Sequence, residues 1–385
     1  MLWDIFCRVI DNHGDIGVCW RLSRDLVKRG HQVRLWVDDA SALTWMAPEG
    51  LSAWPAVTLR AWQEAEDAVR IQNLVAGDVV IEAFGCELPA PFVARMVRPS
   101  PPVWINLEYL SAEAYVERCH GLRSPVCSGP GAGLNKWFFY PGFTEATGGL
   151  MREADLLDRQ RAFTPEVQRQ WLASLGVHSQ PDDTLVSVFC YADAPLGALL
   201  DRWKTTPLRA GATTHVLLTP GHASTLGQRW HEANPGTATP HLALHHLPAL
   251  PQPEFDHLLW SCDLNLVRGE DSAVRALWAG RPHAWHIYPQ DDGVHADKLE
   301  AFMQHWMHDW PPDLREQVSI WWRAWNGLSA QADMDRQGHR TSLPDLPDLS
   351  RWRHHGRLSR EKALLQRDLC SQLTDFALQF VIQPE

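Results

Sequence analysis

The sequence predicts an α/β protein made of two doubly wound domains in tandem. Three observations carry this. Short runs rich in Val, Ile, Leu and Trp recur along the chain and read as strands of a parallel sheet covered on both faces. Between them lie stretches whose apolar residues repeat at helical spacing, several ended by Gly or Pro. The alternation lapses after about residue 150 and restarts at Thr184, in a chain of 385 residues, more than one core ordinarily serves.

The first strand, Trp3 to Ile10, runs into Asp11-Asn12-His13-Gly14-Asp15-Ile16-Gly17. A helix follows, with Ile16, Cys19, Trp20, Leu22, Leu26 and Val27 apolar and Gly30 at its end. Strand, tight turn and helix are the first half of a βαβ unit. Further strands are expected at Val33 to Asp38, Val57 to Trp62, Asp78 to Gly85 and Val103 to Tyr109, with a helix at Pro91 to Val97. Gly129 to Gly149 reads as a long loop. A helix at Pro165 to Leu175 and a linker at Gly176 to Asp183 lead to the restart. Strands are then expected at Thr184 to Tyr191, His215 to Gly221, Leu242 to Leu247, Asp263 to Val267 and His283 to Ile287. Helices are expected at Ala194 to Trp203, Pro253 to Cys262, Ala273 to Ala279 and Val294 to Trp306, and a last amphipathic helix at Glu361 to Phe380. The resulting division is a Rossmann-like domain at 1–155 joined by the C-terminal helix 361–385, a linker helix region at 156–182, and a second Rossmann-like domain at 183–360.

The net charge of -11 argues against nucleic acid or an anionic membrane as partner. No apolar run is long enough to span a bilayer, and the start lacks a signal-peptide pattern. The eight cysteines are scattered without a C-x-x-C, which fits free thiols in a reducing cytoplasm rather than disulfides or zinc. The 20 tryptophans are expected to fill core and interdomain space. The 19 histidines form no H-E-x-x-H.

Chemistry in open α/β sheets gathers beyond the carboxyl ends of the strands. That places Asp11 and Asp15 at such an end, two carboxylates suited to proton handling or to a cationic partner. Gly14 and Gly17 would let a ligand approach the backbone. Neither G-x-G-x-x-G nor the P-loop lysine pattern is present. The plainer reading of Asp15 is a helix cap. Arg268-Gly269-Glu270-Asp271-Ser272 is the stronger local signal. Ser272 or Asp271 would cap the helix that follows. Its free N–H groups and dipole would form an anion site, and Arg268 would grip a diphosphate. Glu270 is out of place beside a phosphate unless it holds a sugar hydroxyl or a cation. Tyr191, Phe189, Gln252 and Phe255 offer an aromatic surface and an amide suited to a pyrimidine base, although Phe189 and Phe255 also read as plain core. Tyr288, in the loop from His286 to His295, either covers the nucleotide or belongs to a polar loop.

Two doubly wound domains facing a central cleft are the GT-B layout of many nucleotide-sugar glycosyltransferases. Six stretches in order resemble one such family, the protein-arginine rhamnosyltransferases that modify elongation factor P. They are Ile10 to Gly17 with Trp20-Arg21-Leu22; Trp104 with Asn106 to Ser111; Tyr140 to Phe143; Phe189-Cys190-Tyr191; Arg268 to Ser272; and Trp285 to Asp291. The one departure is His13, where a phenylalanine is expected. The resemblance implies inverting transfer of L-rhamnose from dTDP-β-L-rhamnose to a loop arginine of elongation factor P, activating that factor. It implies Asp15 as catalytic base, with Asp11 beside it and Glu270 also required. The expected donor contacts are Asn12, His13, Gly14, Phe189, Tyr191, Gln252, Phe255, Arg268, Gly269, Glu270, Asp271, Ser272 and Tyr288. No cofactor and no metal are expected, since the lone D-x-D, Asp333-Met334-Asp335, lies in a late polar stretch. The alternatives are another GT-B nucleotide-sugar transferase, an epimerase, or a non-catalytic binder of a translation factor.

The residue types suit this chemistry. A guanidinium is protonated at neutral pH and a poor nucleophile. Carboxylates fix it by charge-assisted hydrogen bonds, and one of them takes its proton as the new bond forms. On the donor side, Arg268 and the helix start would meet the charge of the departing diphosphate.

Overall fold

The computed structural model of the chain describes residues 1–10, 13–235, 241–290, 292–328 and 343–381. Asp11, Asn12, Asp291 and Asp333-Met334-Asp335 lie outside the described residues. In chain order the elements are β1 (Leu2–Cys7), α1 (Gly14–Lys28), β2 (Gln32–Val37), α2 (Leu43–Met46), β3 (Val57–Ala61), α3 (Trp62–Glu66), β4 (Val79–Ala83), α4 (Ala90–Met96), β5 (Val103–Leu107), α5 (Tyr115–Cys119), β6 (Arg123–Pro125) and β7 (Asn135–Phe139). There follow α6 (Leu156–Ala162), α7 (Pro165–Ser174), β8 (Thr184–Val188), α8 (Leu196–Thr205), β9 (Thr214–Leu218), α9 (His222–Ala233), β10 (Leu242–His246) and α10 (Gln252–Ser261). The last are β11 (Leu264–Arg268), α11 (Glu270–Ala279), β12 (His283–His286), α12 (Val294–Trp306), α13 (Pro312–Trp325), α14 (Leu349–Ala363) and α15 (Leu369–Val381). They form two compact units, Met1–Leu156 with Leu364–Glu385, and Leu157–Ala363.

The first unit holds a sheet of order β3-β2-β1-β4-β5-β7-β6, parallel except for β6 against β7. Residues alternate across the faces of a strand. In β1, Trp3, Ile5 and Cys7 enter one core with Cys19, Trp20 and Leu22 of α1, while Phe6 enters another with Trp36, Val80 and Phe92. The stretch expected as a loop thus contains β7, and with β6 it forms an antiparallel pair. β6 is short and ends in Pro125, which a sheet edge tolerates because no further strand needs its N–H.

The first core is completed by the end of the chain: Leu369, Cys370, Leu373 and Ala377 of α15 pack into it. The single last helix expected from the sequence is two, because residues 364–368 turn between α14 and α15. Neither Gly nor Pro marks the break. Its carbonyls are taken by Arg152, whose guanidinium donates to the Leu364 and Gln366 oxygens at 2.8 and 3.0 Å.

The second unit holds an all-parallel sheet of order β10-β9-β8-β11-β12. The stretch 156–182, expected as a linker, contributes Leu172 and Val177 to the core of this unit, against Leu185 and Leu217. α13, not anticipated from the sequence, buries Leu314, Val318, Trp321, Trp322 and Trp325 at helical spacing. Asn326 at its end donates to the Trp285 carbonyl and accepts from the Ile287 N–H, fixing it to β12. Among the described residues no helix is long and apolar enough to cross a membrane. All eight cysteines are free.

Candidate active site

Both sheets reverse their strand order once, between β1 and β4 and between β8 and β11. A crevice opens at the carboxyl ends of the strands at such a reversal, because the connections on either side leave toward opposite faces. In the second unit, Phe189 to Tyr191 leave β8 there and Arg268 to Ser272 leave β11. α10 also opens at this end, after β10.

Gly269 sets the turn from β11 into α11. Its φ of 68° and ψ of 167° belong to a region only glycine occupies without strain. Gly269 is therefore the N-cap, and α11 starts at Glu270. No side chain caps it, so the expected cap by Ser272 or Asp271 is corrected. The turn is made by backbone alone, two to three residues earlier than a side-chain cap would place it. Asp271 lies in the first turn and Ser272 is buried.

The Arg268 guanidinium carbon lies 4.5 Å from the centre of the Phe189 ring and 4.6 Å from that of Tyr191. Cation–π attraction and the planarity of the fork favour this placement. Its Nη1 is buried and has no hydrogen-bond partner among the described residues. Phe255 meets Phe189 edge-on at 5.9 Å, and Tyr288, half exposed, meets Tyr191 edge-on at 5.5 Å. Phe255, Phe189, Arg268, Tyr191 and Tyr288 are thus one contact chain. The Tyr191 N–H donates to Nδ1 of buried His286 at 3.2 Å, which leaves the His286 proton on Nε2, 3.5 Å from Asp193. His286 in turn holds the Asp193 carboxyl below the usual range.

Two supports were invisible in the sequence. Lys298 of α12 donates to Glu270 Oε1 at 2.5 Å, so the carboxylate that looked misplaced beside a phosphate has its charge met. Asp256 of α10 accepts from Arg275 Nε and Nη2 of α11, both at 2.7 Å, and from Arg159 at 3.0 Å. This buried pair locks α10 to α11 and thereby fixes Phe255 and the buried Gln252 at the α10 start.

In the first unit β1 ends at Cys7 rather than at Ile10. The backbone then turns to side-chain acceptors: the Val9 N–H donates to Asp38 Oδ1 at 3.0 Å and the Ile10 N–H to Asp15 Oδ2 at 2.9 Å. Asp15 is 4% exposed. The N-cap of α1 is His13, without a side-chain bond, so Asp15 closes the loop onto Ile10 and is not the cap. His13 meets Trp45 edge-on at 5.4 Å, an aromatic contact of the kind a phenylalanine would make. Gly14 begins α1.

Other groups at this end were given no role in the site from the sequence. Phe84, after β4, has φ 57°, a left-handed conformation costing about 1–3 kcal/mol in a non-glycine residue. It stacks on Tyr109 at 4.7 Å. Glu108, after β5, accepts from Asn106 at 2.6 Å. Burial, and then the charge of Glu82, push its carboxyl above the usual range. An outlying φ and a burial-shifted carboxyl leave no mark in a sequence. Among the described residues no three His, Cys, Asp or Glu side chains converge as a metal site would need.

The sequence matches the family described as "Elongation-Factor P (EF-P) rhamnosyltransferase EarP" over residues 3–378. It is similar to the protein-arginine rhamnosyltransferase of Pseudomonas putida, with 44% identity across 97% of this chain and 98% of that one. The corresponding Pseudomonas aeruginosa protein is 41% identical over the same shares. A structure solved to show the basis of EarP-mediated arginine glycosylation of translation elongation factor EF-P has a TM-score of 0.64 at 32% identity, covering 98% of this chain and 99% of that one. A glycosyltransferase from Rickettsia africae has a TM-score of 0.54 at 8% identity over 100% and 99% of the two chains, a likeness of fold alone. The fold is of the GT-B class, and the chain belongs to the EarP family of protein-arginine rhamnosyltransferases.

Proposed function

We propose that the chain transfers L-rhamnose from dTDP-β-L-rhamnose to an arginine side chain of elongation factor P, with inversion to an α-linked product. Membership of the family supports the reaction. In this chain, the observation that carries the donor reading is Arg268, held between Phe189 and Tyr191 just before the uncapped start of α11. Arg268, the first N–H groups of α11 and Ser272 receive the diphosphate. Tyr191, Phe189, Phe255, Gln252 and Tyr288 form the base and sugar surroundings.

Asp15 is the general base, and Asp11 is the second carboxylate that the family resemblance implies. The Oδ2 of Asp15 is oriented by the Ile10 N–H. As the arginine nitrogen bonds to the anomeric carbon, Asp15 takes the proton from that nitrogen and the bond to the diphosphate oxygen breaks. The negative charge leaves on dTDP, where Arg268 and the α11 dipole meet it without a metal. Asn12, His13 and Gly14 are the remaining donor contacts that the family resemblance implies. Glu270 takes part in holding the reacting groups, and its pairing with Lys298 lets it lie near a diphosphate without net repulsion. The reaction is assigned to the cytoplasm, in keeping with eight free thiols.

The test is incubation with dTDP-rhamnose and elongation factor P, followed by mass measurement of the acceptor. The wild type should add one deoxyhexose. Asp15→Asn should bind dTDP normally and add none. A wild type that leaves the acceptor unmodified rejects the proposed substrates; full modification by Asp15→Asn removes Asp15 as base.

A further inference from the structure

Four arginines, Arg281, Arg353, Arg357 and Arg360, line a cavity of about 490 Å³ in the second unit. Among the described residues no carboxylate lines it; Gln160, Gln168, Phe163 and Trp260 form much of the rest of the wall. In a chain of net charge -11 this is a local reversal of sign. Arg281 lies just before β12 and Trp260 just before β11, so the cavity sits toward the amino ends of the strands. Phe189 and Tyr191 lie beyond the carboxyl end of β8, and Arg268 is the carboxyl end of β11. The two places are at opposite ends of the strands of one sheet.

The arrangement is built. α14 presents Arg353, Arg357 and Arg360 at i, i+4 and i+7, on one face, while Trp352 and Gly356 are buried. Gly280, with φ +66°, leaves room for Arg360: a Cβ there would stand 3.0 Å from the Arg360 Cδ. Arg281 donates to the Trp260 carbonyl at 3.0 Å and Arg360 donates to Gln160 Oε1. Both of those partners are neutral. Arg360 Nε is buried with no partner among the described residues. Burial holds both guanidiniums below their usual range; for Arg281 the charge of Arg353 adds to this and Asp263 opposes it. Asp263 is itself bound to Arg353 at 2.5 Å, and Arg357 reaches Glu361 only at 3.7 Å. The α11 C-terminus, close to Arg360, favours a cation. That accounts for one guanidinium, not for a wall of four.

We propose that this cavity is a second anion site, binding a ligand that carries a diphosphate group. Two guanidiniums lacking a carboxylate partner among the described residues call for at least two negative charges, and the planar forks suit phosphoryl oxygens. The volume is that of a small-molecule site, larger than one orthophosphate needs. The diphosphate could be inorganic or part of a nucleotide, with Phe163 and Trp260 beside the organic portion.

The test is calorimetry of the full chain with inorganic pyrophosphate and, separately, ADP. Wild type, Arg268→Ala, Arg360→Gln and Arg357→Gln are compared, with unfolding midpoints taken without ligand. Binding should persist in Arg268→Ala and weaken about tenfold or more in Arg360→Gln, the effect of losing a charged hydrogen bond. Arg357→Gln, at an exposed position, should weaken binding without lowering the midpoint, and serves if Arg360→Gln folds poorly. Tighter binding of ADP than of pyrophosphate assigns a nucleotide; equal binding assigns the phosphates alone. No binding at millimolar ligand, binding lost in Arg268→Ala, or equal binding by wild type and both Gln variants overturns the proposal.

Discussion

Replacing Arg268 separates two things its guanidinium does. It lies 4.5 and 4.6 Å from two ring centres, and each such contact contributes about 0.5–1 kcal/mol at a partly exposed position. Arg268→Ala should therefore lower stability by about 1–2 kcal/mol, a few degrees in midpoint for a unit of this size. Loss of a charged hydrogen bond to the diphosphate costs about 1.5–3 kcal/mol more, in binding alone. That is roughly a 10- to 150-fold rise in the Kd for dTDP. Arg268→Lys keeps the charge but gives up the planar fork and the flat contact with the rings, so its Kd should fall between those of wild type and Arg268→Ala. Calorimetry with dTDP, beside thermal unfolding without it, reads both quantities. An Arg268→Ala Kd within twofold of wild type refutes the phosphate role. A lysine variant that binds as tightly as wild type refutes the argument from the fork.

Three further outcomes are expected. Lys298→Gln leaves Glu270 without the cation at 2.5 Å. It should cost about 1 kcal/mol, between the values for surface and buried pairs, and weaken dTDP binding; unchanged dTDP affinity would show that Glu270 does not face the diphosphate. Asp256→Ala removes the carboxylate that pairs with buried Arg275 and should cost about 3–5 kcal/mol, a loss of some 6–20 °C, and an unaltered melting curve would contradict it. Burial lowers the His283 pKa to about 4 from 6.5. The unfolded chain then binds more protons below pH 6.5, so stability falls as pH drops from 6.5 toward 4. At pH 5 the deficit from this group is about 2 kcal/mol. Urea unfolding of His283→Gln should show a correspondingly shallower decline between pH 7 and pH 5 than wild type; identical declines would reject the assignment.

The parts of the site that were legible in the sequence are local. A strand, a turn that needs glycine and a helix fall within a few residues at both Asp15 and Arg268, so their place at the carboxyl end of a sheet follows from pattern. The supports are not local. Lys298 reaches Glu270 from 28 residues away, and one lysine on a helix carries no motif. Tyr191 depends on a histidine 95 residues distant. Errors at element ends have a common cause. Gly269 turns the backbone without a side-chain cap, β1 stops where Asp38 and Asp15 capture the next N–H groups, and α14 parts from α15 where Arg152 captures carbonyls. In each case a distant group or the backbone replaces the residue that would have announced the boundary. α13 escaped notice because its tryptophans, read as general filler, are a periodic buried stripe.

The placement of α15 bears on how the chain is made. Synthesis runs from the amino to the carboxyl end, yet the helix that seals the first core leaves the ribosome only after the whole of Leu157–Ala363. At about 5–20 residues per second, those roughly 200 residues take about 10–40 s. For that interval the first core lacks Leu369, Cys370, Leu373 and Ala377, and Phe139 lacks its contact with Phe376. A product of premature termination would keep that apolar surface open, as a ready target for chaperones and proteases, however well its second half had folded.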